Sequence, residues 1–356
     1  MIFNMRPSEA VKVQTRNNFD LIRLFAAAQV AISHAADWMH VPIPWLSFLR
    51  YFPGVPIFFF ISGYLIYQSY ANITTPHRLR IFTTNRILRL FPALYVCIVF
   101  SLLLTYYSGY FSTVQITTTQ WLTWLTTQFT FLQFFNPDFM RPYATGKLNA
   151  SLWTITVELQ FYLLTPIIFF LFKNYKKISI SLFLTFVALN TANSFLNPRE
   201  STLEKLFNVS FAPWIAMFAL GAYVSTNKNL QDRLLKINIL VPLGLYLVTY
   251  YIALEANLGT DNSINFISFV FLGWLVFKAA FTIPTLSESL LHKNDISYGI
   301  YIYHMPIVNF MIYKEMTQSY VYLTMALLLS TLIALLSWRL VEKPALRLKK
   351  ISLRRA

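Results

Sequence analysis

Long apolar runs dominate this sequence and determine the class of fold that it can adopt. Each has about 17 to 22 residues, the length that an α-helix needs to cross the hydrocarbon core of a bilayer. Hydrophobic residues make up 56% of the chain and charged residues only 12%, about half the share found in soluble domains. We therefore predict an all-α integral membrane protein with about ten transmembrane helices, near residues 20–40, 53–71, 88–107, 155–172, 178–195, 210–226, 237–254, 264–282, 297–313 and 320–341.

The basic residues indicate how these spans are oriented. With both termini in the cytoplasm, 23 of the 29 Lys and Arg residues fall in inside segments and 6 in outside segments, as the positive-inside rule expects. This orientation makes residues 108–154 a long outer loop. Its apolar segment 120–135 is rich in Thr and Gln, and a crossing there would leave 13 basic residues inside and 16 outside. We therefore predict that this segment lies at the outer interface as an amphipathic or re-entrant piece.

The predicted spans define the domain organisation. We expect residues 1–19 to form a cytoplasmic segment without a cleavable signal peptide, and residues 20–341 to form a single membrane domain. The basic tail, residues 342–356, is expected to lie on anionic lipid headgroups. Topology and lipid contact account for the net charge of +15, so we expect no nucleic-acid partner. The single cysteine, Cys97, excludes an internal disulfide and any multi-cysteine metal site.

The first apolar run carries an arginine and a histidine on one face. Arg23 and His34 are eleven residues apart, so steps of about 100° bring both side chains to the same side of a helix, with a rise of roughly 16 Å between them. Ionisable groups inside a membrane are costly and usually functional. Asp37 follows His34 by about one turn, close enough to orient or charge the imidazole. The alternative is a structural His34 bonded to a backbone carbonyl.

Two later spans contribute one ionisable residue each. Glu158 lies a few residues inside the outer end of the fourth span, where an ionised carboxylate requires a partner. His304 lies in the middle of the ninth span. Both residues are catalytic candidates, and for both the alternative is a structural hydrogen bond within the helix bundle.

A pair of arginines marks the cytoplasmic end of the third span. Arg86 and Arg89 stand one turn apart, and forked guanidinium groups bind phosphate oxygens bidentately. Alone, such a pair is also typical of a topology anchor. Arg23 is expected at the same depth, so we predict that the three arginines form a cytoplasmic mouth for an anionic cofactor. In the second span, Ser62 and Gly63 indicate close helix packing, and we assign Ser62 no chemistry.

In their order and spacing these motifs resemble the acyltransferase-3 family of integral-membrane O-acyltransferases, over nearly the whole chain. The resemblance rests on Arg23 and His34 with ten residues between them, on the pair Arg86 and Arg89, and on the runs FFFISGYLI, LWTITVELQFYL, SYGIYIYHMP and VEKPALR. One departure is Pro56, which stands where many members have Asp after Gly-Val. No acidic group is therefore expected to act at that position.

The resemblance implies a ten-helix fold and the transfer of an acyl group, usually acetyl, from acyl-CoA to a hydroxyl. Its usual acceptors are sugars of bacterial surface glycans such as O-antigen, capsule or exopolysaccharide, which implies a multi-pass protein of the bacterial cytoplasmic (inner) membrane. We therefore expect acetyl-CoA as the acyl donor and no metal. The expected partners are membrane lipids and a glycan or lipid-linked glycan acceptor.

The resemblance and the residue spacing together give a mechanism to test. The three arginines would bind the nucleotide phosphates of acetyl-CoA, and the pantetheine arm would run along the first helix to His34. His34 then acts as a general base on the acceptor hydroxyl or carries the acyl group itself. Glu158 completes the proton relay or orients the acceptor from the outer side, and His304 joins the same pocket.

Two other functional classes stay open from the sequence. Intramembrane His, Asp and Glu also build proton-coupled carriers, here for an acidic metabolite or glycan, although no inverted repeat is visible. A polyprenyl-linked sugar transferase is the third class. Such enzymes need acidic groups for a metal, and this chain has only 14 Asp and Glu, few of them clustered. Binding or hydrolysis of acetyl-CoA distinguishes an acyltransferase from a carrier.

Overall fold

Helices are the regular elements of this structure. The computed structural model describes residues 16–195 and 202–354, and there are no strands within these residues. The α-helices of the described residues are α1 (Phe19–Trp38), α2 (Gly54–Ala71), α3 (Arg78–Tyr107), α4 (Thr118–Phe129), α5 (Trp153–Asn174), α6 (Lys176–Phe195), α7 (Thr202–Asn208), α8 (Ile215–Thr226), α9 (Lys228–Lys236), α10 (Leu240–Glu255), α11 (Phe266–Phe281), α12 (Leu286–Leu291), α13 (Ser297–Tyr313), α14 (Tyr320–Ser337) and α15 (Lys343–Arg354).

Short helical turns of other kinds connect some of these elements. Three 3₁₀ turns occur at Pro44–Tyr51, Tyr110–Ser112 and Asp138–Met140. A π-helical turn at Trp338–Glu342 joins α14 to α15. Such turns often occur at functional sites, and this one lies beside the cavity described below.

A helix lies at each of the ten positions where the sequence predicts a span, but fewer of these helices qualify as membrane-crossing by their own length and composition. Among the described residues, five segments are long and apolar enough: Phe19–Trp38, Pro44–Ala71, Arg78–Tyr107, Trp153–Asn174 and Tyr320–Lys349. Counting α9 and α10, which meet at 91°, as one broken span gives a sixth. The multi-pass helical character is thus supported, while ten crossings and cytoplasmic termini stay predictions.

The Thr- and Gln-rich segment of the long loop forms a separate short helix. This helix, α4, has 12 residues, far fewer than the roughly 20 needed for a crossing. A capping box begins it: the Gln120 backbone N–H donates to the Thr117 hydroxyl at 3.3 Å, and the Thr117 N–H donates to the Gln120 side chain at 2.9 Å. Trp124 packs with Phe139 and Tyr143 in a small aromatic cluster. Its place at the membrane interface stays a prediction.

Helix α13 is buried along nearly its whole length and contacts α1, α3 and α14. Pro306 lies inside it and has no backbone N–H, so the carbonyl of Ile302 lacks its usual helical partner. The side chain of Asn149, in the long loop, donates to that carbonyl at 2.8 Å, and the Cys97 thiol of α3 contacts it at 3.2 Å. The loop is therefore anchored to the middle of α13.

Two glycines allow α2 and α8 to pack closely. A Cβ atom on Gly63 would lie 1.9 Å from the carbonyl oxygen of Phe218, and one on Gly221 would lie 2.2 Å from that of Phe60. No side chain fits at such distances. The close helix packing predicted at Gly63 is therefore confirmed.

We predict that Gly63→Ala destabilises the protein by about 1–3 kcal/mol, because the added methyl group forces α2 away from α8. Gly244→Ala is the matched control, since Gly244 is also helical and nothing lies within 4 Å of its Cβ position. The measurement is the midpoint of thermal unfolding of each variant in the same detergent. Equal midpoints for the two variants would contradict the packing argument.

Candidate active site

A cavity of about 370 Å³ lies between α1, α2, α3, α5, α13 and α15, within the range of small-molecule binding sites. The exposed side chain of Lys293 lies at one end. Val55 and Thr154, in the first turns of α2 and α5, also line the cavity. The charged lining consists of the cations Arg23, Arg86, Arg89, Lys293 and Lys349 and the acids Asp20, Glu158 and Asp295. The excess of cations favours an anionic ligand.

The structure brings together the three arginines predicted from the sequence, and a buried aspartate holds two of them. Arg89 of α3 forms a close ion pair with Asp295. Arg23 of α1 approaches the same carboxylate, with Nη1 3.8 Å from Oδ2. The backbone N–H of Ser297, in the first turn of α13, donates to the other oxygen at 3.2 Å. Asp295 thus joins three helices at the cationic end of the cavity.

Arg86 is held differently from the other two arginines. Its Nη2 donates to the Ser69 hydroxyl at 3.3 Å, and its guanidinium lies over the rings of Phe82 and Tyr162 at 5.7 and 5.8 Å. Its Nε atom is buried and has no hydrogen-bond partner in the structure. A buried N–H without a partner is costly. This donor therefore favours a ligand with acceptor oxygens in the cavity.

Glu158 lies in the wall of the same cavity. Its Oε1 accepts a hydrogen bond from the Tyr162 hydroxyl at 2.6 Å, and Tyr162 in turn packs under Arg86. Glu158 therefore lies in the same cavity as the three arginines. A relay from Glu158 to His34, or contact with an acceptor, stays a prediction.

His34 and His304, 270 residues apart in sequence, meet between α1 and α13. The Nδ1 atom of His34 lies 3.1 Å from Nε2 of His304. His304 is fully buried, and its Nδ1 lies 3.2 Å from the carbonyl oxygen of Ile300. His34 is only partly buried. The two histidines therefore form a pair in which one ring is enclosed and the other is accessible.

Asp37 was expected to orient or charge the imidazole of His34, but the structure pairs its carboxylate with an arginine. Its half-exposed carboxylate forms an ion pair with Arg50 in the 3₁₀ turn that follows α1. An exposed ion pair keeps the carboxylate hydrated, whereas turning it inwards towards the helix bundle would reduce that hydration. The residue that contacts His34 is His304, and any charge effect of Asp37 on the ring stays a prediction.

The cavity and the histidine pair are neighbours along α13. Ser297 and Tyr301 line the cavity, and His304 follows on the same face three residues later. The Tyr301 and His304 rings are 6.2 Å apart, and the Tyr301 hydroxyl is 2.8 Å from that of Thr154. The far end of the cavity thus approaches the histidine pair, while the cations lie at the other end.

Two features of the site were missed from the sequence. Asp295 was not singled out, although an Asp two residues before a Ser that starts an apolar helix is a typical helix-start signal. The basic tail was expected only at lipid headgroups, yet α15 packs against α3 and places Leu346 and Lys349 in the cavity wall. Contact of the tail with headgroups stays a prediction.

A helical membrane protein with a cationic cavity that leads towards a histidine pair has the features of an enzyme for an anionic co-substrate. The chain belongs to the acyltransferase-3 family: the family model, described as an acyltransferase domain, matches residues 16–339. Nodulation protein 10 of Rhizobium leguminosarum bv. viciae is 30% identical over 372 residues, which cover 97% of each chain. An O-acetyl transferase of Shigella phage Sf6 is 26% identical over 347 residues, covering 92% of this chain and 95% of that protein. No solved structure matches the chain.

We predict that Asp295→Asn lowers the stability by about 3 kcal/mol, because it removes the carboxylate that pairs directly with the Arg89 guanidinium. Asp138→Asn is the control, since Asp138 pairs with Arg141 at a fully exposed position where an ion pair contributes little. Thermal unfolding of both variants in detergent measures the difference. A midpoint for Asp295→Asn that matches the control would refute this role of Asp295.

Proposed function

We propose that this protein is an O-acyltransferase of the bacterial cytoplasmic (inner) membrane. It moves an acyl group, most simply acetyl, from acyl-CoA to a hydroxyl of a surface polysaccharide or lipid-linked glycan such as O-antigen. The observation that carries the proposal is the cationic cavity whose far end approaches the pair of His34 and His304. The relative named O-acetyl transferase supports the choice of an acetyl group and a hydroxyl acceptor.

The cationic end fits the nucleotide phosphates of acyl-CoA. Arg23, Arg86 and Arg89 present forked donors to one space, a geometry that suits phosphate oxygens. The Nε donor of Arg86 has no protein partner, so it is available to such an oxygen. With the arginines at the predicted cytoplasmic side, acyl-CoA would enter from the compartment that makes it.

The distance between the two ends fits a long, thin donor molecule. Arg23 and His34 are separated by a rise of roughly 16 Å along α1, a span that an extended pantetheine arm bridges. The apolar side chains of Val55, Phe58 and Phe59 line the cavity and suit contact with such an arm. The arm would place its thioester near the histidines while the phosphates stay on the arginines.

His34 is the proposed catalytic group. As a general base it takes the proton from the acceptor hydroxyl while the hydroxyl oxygen attacks the thioester carbonyl. As a nucleophile it would instead carry the acyl group before the acceptor takes it. Release of free CoA in a single turnover without any acceptor distinguishes the second route from the first.

We predict that His34→Ala abolishes acyl transfer and leaves a folded, inserted protein, because the proton acceptor is lost and the partly buried site tolerates a smaller side chain. The measurement is the O-acetyl content of surface polysaccharide, by NMR, in a deletion strain that carries either form. His77→Ala, at an exposed histidine before α3, is the control and should restore acetylation. Full acetylation in the His34→Ala strain would reject the mechanism.

We predict that Arg86→Ala weakens binding of acetyl-CoA about 10- to 100-fold, as expected when a charge-assisted hydrogen bond worth about 1.5–3 kcal/mol is lost. Arg80→Ala is the matched control, because Arg80 is an exposed arginine of the same helix. Calorimetric titration of the detergent-solubilised proteins with acetyl-CoA gives both affinities. An unchanged affinity in Arg86→Ala would indicate that Arg86 is a topology anchor. Absence of acetyl-CoA binding by the wild-type protein would favour the carrier.

A further inference from the structure

The hydrogen-bond partners of the two histidines determine where their protons lie. The carbonyl oxygen of Ile300 can only accept, so the Nδ1 atom of His304 that faces it at 3.2 Å carries a hydrogen. His304 is fully enclosed, where an imidazolium would be costly. A neutral ring has a single N–H, so Nε2 of His304 is an acceptor. The facing Nδ1 of His34, at 3.1 Å, is then the donor.

The same reasoning fixes the reactive atom of the pair. A neutral His34 that carries its hydrogen on Nδ1 has a lone pair on Nε2. We infer that His304 is a positioning residue that holds His34 in this tautomer, and that Nε2 of His34 is the atom that receives the proton of the acceptor hydroxyl. This inference rests on the proposed function and deepens it.

With this tautomer of His34, each proton and each bond of the transfer step is accounted for. The proton of the acceptor O–H passes to Nε2 of His34, and the oxygen forms a bond to the thioester carbonyl carbon. The carbon–sulfur bond breaks, and the thiolate takes the proton from Nε2, which regenerates the neutral ring. While His34 is protonated, its Nδ1–H still donates to Nε2 of His304, so His304 stabilises the transient positive charge and exchanges no proton.

A neutral partner suits this position inside a membrane protein. A carboxylate in the place of His304 would have to be buried without water, and its desolvation would oppose the gain from pairing. The imidazole of His304 offers an acceptor without a permanent charge. The carbonyl of Ile300 orients this ring without adding a charge to the site. The fixed carbonyl of a helix thus sets the tautomer of both rings.

Two substitutions separate an acceptor role from simple packing. His304→Gln places an amide oxygen where Nε2 stood, so it keeps an acceptor for Nδ1–H of His34. His304→Asn keeps a polar group only near the Nδ1 position, beside the carbonyl of Ile300, and cannot reach His34. The control is His77→Asn at an exposed position. Unchanged affinity for acetyl-CoA and monodisperse elution in detergent verify that each variant is folded.

The assay supplies [¹⁴C]acetyl-CoA to membrane vesicles of a deletion strain, which contain the unacetylated glycan, and measures label in the glycan. For His304→Asn we expect kcat to fall about 10²- to 10⁴-fold, the range of a general-base contribution, with KM for acetyl-CoA unchanged. His304→Gln should stay within about tenfold of wild type.

A spectroscopic measurement tests the tautomer without relying on activity. The ¹⁵N NMR spectrum of histidine-labelled protein, with the His34 signals identified by their absence in His34→Ala, should show a protonated Nδ1 and an unprotonated Nε2. In His304→Asn this tautomer preference should disappear.

The outcomes distinguish failure of the inference from failure of the proposed function. Wild-type kcat in His304→Asn, an equal loss in His304→Gln, or a protonated Nε2 in wild-type His34 would overturn the role of His304, even if His34→Ala is inactive. Normal transfer by His34→Ala would instead overturn the proposed mechanism itself.

Discussion

The ion pair at Asp295 is the interaction on which the arrangement of the site depends. It joins Arg89 of α3 and Arg23 of α1 to the segment that starts α13. His304 follows Asp295 by nine residues, and His34 follows Arg23 by eleven. These separations correspond to rises of roughly 14 Å along α13 and 16 Å along α1. Because the two helices are joined near one end, similar rises bring the two imidazoles within hydrogen-bond distance of each other further along.

The arginines and the histidine pair lie at different positions along α1, and this separates two requirements that would conflict in a single pocket. In the proposed function, binding of phosphates needs several cations, which the cavity supplies where Arg23 and Arg89 meet Asp295. General-base chemistry needs an imidazole that can take up a proton, and a nearby cation would disfavour the imidazolium that forms. Distance along α1 and the aromatic lining of α2 between the two ends keep the arginines away from the histidines. In a medium of low dielectric constant such separation matters more than it would in water.

The sequence predicts local features of this molecule well and long-range ones poorly. Apolar runs predict the positions of the helices, and helical spacing predicts that Arg23 shares a face with His34 and Arg86 with Arg89. No spacing rule connects Asp295 with arginines more than 200 residues away, so that carboxylate was missed. Asp37 was matched to His34 by helical proximity, but an exposed arginine outside the helix competes for its side chain. The contact of His34 with His304 depends on which helices pack together, which a single sequence does not specify.

The proline inside α13 has a consequence for anyone who wishes to re-engineer this enzyme. Pro306 leaves the carbonyl of Ile302, two residues before His304, to be satisfied by Asn149 from the long loop. A loop transplanted from a relative, in order to change which sugar is modified, must therefore bring an amide donor to the same point. A graft that omits that donor would leave the carbonyl with the Cys97 thiol as its remaining contact and would disturb the helix that carries His304. The long loop and helix α13 should therefore be exchanged together.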